Sequence, residues 1–239
     1  MKNHKIQAFT LIELSIVIVI IGLVIGGILA SNELVAQARI KGLINDTQNI
    51  RTSINAFKLK FGYLPGDFPY AGRIWTSATC TDDNVPAGCN GNGNYQINLN
   101  AGGGDGQEGY RFWQHLSLSG FINGNYVGTS AKNDQYKLQY SPGAYMNVRN
   151  VRATTGTDPL DNYLEIGAWN STLNLAIDGE ITPIDAYGLD IKIDDGVSNT
   201  GKVFGTNSYS SSNGFCNVSS IYNVRGTQGP FCRMKVSVE

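Results

Sequence analysis

Ala8-Phe9-Thr10-Leu11-Ile12-Glu13-Leu14 opens an apolar run that continues almost unbroken to Ala30. From Phe9 to Ala30 the run covers 22 residues, enough for a helix to cross a hydrocarbon core of ~30 Å. The residues before it, Met1 to Ala8, are few and basic, with Lys2 and Lys5. Lysines on that side keep the N-terminus in the cytoplasm and put everything after Ala30 beyond the membrane. Glu13 is the residue out of place. A carboxylate inside such a run costs about 2.5–3.5 kcal/mol on insertion scales and requires a partner. No basic residue lies within a helical turn of it. Cleavage before Phe9 would supply one, because it creates a new α-amine and makes Glu13 the fifth residue of the shortened chain. In a helical array of copies, Glu13 of one then meets the Phe9 ammonium of its neighbour. Such a pair neutralises both charges in lipid and fixes the axial register.

Ala8-Phe9-Thr10-Leu11-Ile12-Glu13 resembles the prepilin cleavage and methylation signature of type IV pilins and type II secretion pseudopilins. The resemblance implies cutting between Ala8 and Phe9 by a prepilin peptidase and N-methylation of Phe9. It further implies assembly with other pilin or pseudopilin subunits by an inner-membrane platform. Ala8 departs from the family, which usually has Gly before the cut. An ordinary secretory signal peptide ending near Ala30 is the competing reading. It needs an apolar region of 22 residues against the usual length of about 7–15. Ile28-Leu29-Ala30 is a poor cleavage motif for it, and Glu13 stays unexplained.

Beyond Ala30, Leu43, Thr47, Ile50, Ile54, Phe57 and Phe61 recur at alternating spacings of four and three. That is one apolar stripe on a helix, so the spacing predicts a single helix from Phe9 to Phe61, ~80 Å long. Gly62, Pro65 and Gly66 mark its end. Gly22, Gly26 and Gly27 weaken the membrane half by about 1 kcal/mol each relative to Ala. They serve either extension of the helix on assembly or close packing through small residues. The expected organisation is a leader at 1–8, a membrane or filament-core half-helix at 9–30, an amphipathic half-helix at 31–62 and a globular domain at 63–239.

The composition of the whole chain is polar and loop-rich: 15% of its residues are charged and 29 are Gly, which suits an extracytoplasmic domain. A net charge of -1 gives no general pull toward nucleic acid, and none is expected as a partner. Leu64-Pro65-Gly66-Asp67-Phe68-Pro69 reads as a tight turn followed by an extended segment. It resembles the stretch after the long helix in a subset of bacterial pilin-like proteins. Residues 76–107, rich in Gly, Asn and Asp, read as an irregular surface excursion. A short core-packed helix is predicted from Glu108 to Phe121, ending at Gly120, with His115 as a packed or surface residue. Tyr136–Tyr140, Tyr145–Val151 and Tyr163–Trp169 read as antiparallel strands. Thr182-Pro183-Ile184-Asp185 carries the marks of a helix start, with an end near Asp195 and Gly196. The expected fold is α+β, a long N-terminal helix on a small antiparallel sheet with added helices and loops.

Cys80, Cys89, Cys216 and Cys232 have no zinc-type spacing and fit two disulfides in an oxidising compartment. Four cysteines allow three connectivities; local closure favours Cys80–Cys89 and Cys216–Cys232. Asp190, Asp194 and Asp195 gather at a helix C-terminus, where negative charge opposes the macrodipole. A structural calcium would relieve this, as would pairing with Lys192 or Lys202; an exposed acidic turn is the plainer reading. No nucleophile, phosphate-loop or metalloprotease motif is present, so a structural role is expected rather than an enzyme. A type II secretion pseudopilus leads the expectation, with a type IV pilus as its rival and a freely secreted binding module or hydrolase as the reading of another class.

Overall fold

The computed structural model describes residues 10–76, 80, 88–139, 141, 143–152, 160–210, 214–226 and 229–238. Ala8 and Phe9 lie outside them. The chain divides into two compact units, residues 1–39 and 40–239.

Helix α1 (Leu11–Phe61) begins in the first unit. Its segment Leu11–Ile28 has a mean hydropathy of 2.8 with none of it buried, and it is long and apolar enough to cross a membrane.

In the second unit the stripe turns inward. Leu43, Thr47, Ile50, Ile54 and Phe57 are all buried, as a helix face repeating at threes and fours demands. Gly62 ends the helix with φ 77°, a conformation that favours glycine. The turn that follows closes through Asp67 N–H donating to Leu64 O at 3.2 Å, with Gly66 at φ 83°. A Cβ on Gly66 would collide with the backbone of Glu108. The chain then forms a one-turn helix, α2 (Ala71–Ile74), where an extended segment was expected.

The Gly/Asn-rich segment is irregular, but it is not confined to the surface: Ile97 and Leu99 are buried. Helix α3 (Glu108–Leu118) buries Phe112, Trp113 and Leu116. Its end is closed by Gly120 at φ 77° and by Phe121 N–H donating to Leu116 O at 3.0 Å. Strands β1 (Tyr136–Lys137), β2 (Ala144–Arg152), β3 (Leu160–Asn170) and β4 (Leu175–Asp178) follow. Helix α4 (Pro183–Ile193) is capped by Thr182, whose hydroxyl accepts from Asp185 N–H at 3.2 Å. Then come β5 (Val203–Asn207), β6 (Asn217–Val218), β7 (Ile221–Tyr222) and β8 (Cys232–Ser237).

The main sheet is antiparallel with order β1-β2-β3-β8-β5, and β4 also pairs with β3; β6 and β7 form a separate hairpin. Alternation gives it two distinct faces. Met146, Val148, Leu164, Ile166, Met234 and Val236 face the core shared with the α1 stripe. The opposite face carries Asn147 and Arg149 of β2, Glu165 of β3, and Arg233 and Lys235 of β8. The register sets Glu165 beside both Asn147 and Lys235. This α+β architecture agrees with a pilin-like fold.

Candidate functional site

The N-terminal end of α1 carries the first site. Thr10 is the N-cap and Glu13 the third helical residue. The Thr10 N–H and hydroxyl donate to Glu13 Oε2 at 2.8 and 2.9 Å, and Glu13 N–H donates to Thr10 Oγ1 at 3.3 Å. This is a capping box: the helix start leaves N–H groups without partners, and the two side chains satisfy them reciprocally. Within one chain, Glu13 thus has the two donors of Thr10 as partners. Thr10 was missed in the sequence, although a Thr followed three residues later by Glu is the signal for it.

The acidic cluster forms the second. Asp190, Asp194 and Asp195 each place one carboxylate oxygen within 4.8 Å of the others. Their local duties are clear. Asp190 accepts from Gly196 N–H at 3.0 Å and from the Tyr222 hydroxyl at 2.7 Å. Asp194 accepts from the N–H groups of Lys202 and Val203. Asp195 accepts from Val197 N–H at 2.8 Å and the Thr200 hydroxyl at 2.5 Å. These bonds close the loop between α4 and β5. Burial pushes the Asp190 carboxyl up to about 6, against the Tyr222 and Gly196 bonds, with Asp195 and Asp194 adding to the rise. An all-oxygen donor set with spare lone pairs suits a hard cation such as calcium.

Both cysteine pairs are disulfides, Cys80–Cys89 and Cys216–Cys232. The first is tied to the rest of the domain by His115, which is fully buried. Its Nδ1 accepts from Gly66 N–H at 2.8 Å and its Nε2–H donates to Cys89 O at 2.7 Å. That arrangement fits the neutral ring, and burial lowers its pKa to about 4. Asp67 beside it accepts from the N–H groups of Gly93, Asn94 and Tyr95 at 2.7, 3.1 and 2.7 Å. Glu108 accepts from Asn92 and Asn98 N–H at 3.0 and 2.9 Å. Burial raises both carboxyls despite these bonds. The hydrogen bonds of His115, Asp67 and Glu108 hold loops in place, and the His115 ring also stacks on Phe57 of α1.

On the outer sheet face, Glu165 is fully buried and takes Arg149 through Nε at 2.5 Å and Nη2 at 2.9 Å. Arg233 stands 4.0 Å off the same carboxylate. Burial works to raise the Glu165 carboxyl, but Arg149, followed by Arg233 and Lys235, outweighs it and holds the group below its usual range.

Residues 3–29 match the family model described as the prokaryotic N-terminal methylation motif. No curated protein and no solved structure matches the chain. The prepilin-type motif and the apolar helix together fit a type IV pilin-like subunit anchored in the inner membrane by a single pass, a structural component rather than an enzyme.

Proposed function

We propose that this chain is the structural subunit of a helical filament assembled from the inner membrane, with residues 1–8 removed by a prepilin peptidase and Phe9 then N-methylated. One observation carries the reading: the methylation motif at residues 3–29 overlaps, from Leu11 onward, an exposed apolar helix whose third residue is the carboxylate Glu13. The membrane stores the subunit through α1, with the domain in the periplasm. Assembly exchanges lipid around α1 for other subunits, and Glu13 meets the Phe9 amine of a neighbour. The motif is common to type II secretion pseudopili and type IV pili. The type II secretion pseudopilus is the leading reading, with the type IV pilus as its rival.

Mass spectrometry of the mature N-terminus from native membranes tests the proposal. N-methylated Phe9 is expected. A chain beginning at Ser31 would mean ordinary secretion and overturn it. The neighbouring genes then separate the two filaments: a secretin with secreted hydrolases marks a pseudopilus, a retraction ATPase marks a pilus.

A further inference from the structure

A pocket of about 330 Å³ opens beside the edge strand β5, between the loop after α4 and the β6–β7 hairpin. Arg233 and Lys235 of β8 line it together with neutral hydrogen-bonding residues, among them Ser198, Asn199, Thr206 and Asn217. No carboxylate lines it among the described residues. Two of the lining residues hold buried polar atoms with no hydrogen-bond partner, Ser198 Oγ and Arg233 Nε. Ser198 is 1% exposed. A buried polar group left without a partner costs about 1–3 kcal/mol, and a bound ion is one of the things that completes such a group in a native fold.

The charge on this sheet face points the same way. Arg149, Arg233 and Lys235 surround the single carboxylate of Glu165. Arg149 holds that carboxylate through two bonds, at 2.5 and 2.9 Å, whereas Arg233 reaches it only at 4.0 Å. Asp178 is the other acid acting on Arg233. Asn207, also in the lining, spends its Oδ1 on Cys216 N–H at 2.7 Å, so the group it has left to offer is the NH₂ donor.

We propose that this pocket binds a small oxyanion, the phosphate, sulfate or carboxylate group of a compact ligand, with Arg233 and Lys235 supplying charge and the amide NH₂ groups of Asn199 and Asn207 supplying donors. The volume lies at the small end for ligand sites, which suits one anionic group with little attached. This assignment does not depend on the filament reading.

The test is calorimetric titration of the full chain in a neutral detergent with sodium phosphate, sodium sulfate and sodium acetate, at ionic strength held constant with chloride. Saturable binding of at least one of the three is expected. Asn199 is exposed at the rim, so Asn199→Asp should leave the melting temperature in chloride unchanged. It should weaken binding at least about tenfold, the worth of one charge-assisted hydrogen bond. Lys235→Met should abolish binding. Phosphate and sulfate alone would identify a tetrahedral group, and acetate binding as well would identify a carboxylate. Absence of saturable binding up to concentrations on the order of tens of millimolar, or unchanged affinity in Asn199→Asp, would overturn the site.

Discussion

Thr10 and Glu13 satisfy each other: two donors of Thr10 converge on one oxygen of Glu13, at 2.8 and 2.9 Å, and the Glu13 N–H returns to Thr10. The cap and the proposed intersubunit charge pair are separable demands on one side chain. Thr10→Val removes the cap and costs about 1 kcal/mol of helix stability, yet leaves the charge. It is expected to enter filaments. Glu13→Val is expected to be processed normally and to stay in the membrane. Sheared-filament fractions, checked against the mature N-terminus, measure both. Incorporation of Glu13→Val at the wild-type level would sink the charge-pair mechanism.

His115 makes the domain acid-sensitive. Its folded pKa is lowered from about 6.5 to about 4 by burial, so the unfolded chain takes up the proton first as pH falls. The stabilisation is complete above about 6.5 and is lost progressively toward 4, a few kcal/mol at most. Asp67 and Glu108, whose pKa values are raised, act with the opposite sign. Comparison with His115→Phe cancels them. That variant should be less stable at pH 7, because Gly66 N–H and Cys89 O lose their partner, and should show a flatter decline between pH 6.5 and 4. Parallel pH profiles of denaturant unfolding would refute the assignment.

Glu165 offsets the charge of partly buried cations. Glu165→Gln leaves Arg149 and Arg233 facing a neutral amide and should cost about 3 kcal/mol. Chemical denaturation of the two proteins at neutral pH gives the difference. A loss under about 1 kcal/mol would mean that the cluster behaves like an exposed pair.

The bridges close separations of 9 and 16 residues. Verified reduction should lower the melting temperature by the equivalent of about 2–4 kcal/mol per bridge. An unchanged melting curve would assign both cysteine pairs no part in stability.

Calcium at Asp190, Asp194 and Asp195 is carried forward as a proposal. Its expected sign is a rise in melting temperature on adding calcium, reversed by a chelator and absent in Asp195→Asn. An identical melting curve with and without the ion would leave the three carboxylates with loop closure alone.

The long helix was readable because a repeating face is a local property: Leu43 to Phe57 announce their burial by spacing, and Gly62 announces the stop. Thr182 was readable for the same reason, since a cap and its partner lie within four positions. Thr10 carries the same kind of local mark, three positions before Glu13, but it stands inside a run whose apolar length reads first as a membrane span. What escaped depends on distant partners. His115 has no mark in the sequence of the two loops it ties together. Arg149, Glu165, Arg233 and Lys235 come from three strands, and only strand register brings them to one face. Ile97 and Leu99 hide in a polar segment too irregular for any period, and the single turn of α2 is too short to show one.

Strand β8 is the last element in the chain, yet it lies inside the sheet, between β3 and β5. It also carries Cys232, half of the second bridge. Without it β5 has no partner strand in this sheet, and β3 keeps only β2 and β4. The sheet is therefore completed through contacts of high sequence separation, a slow class of folding. Loss of β8 would remove a central strand rather than a tail, and would release β5 and Cys216 together.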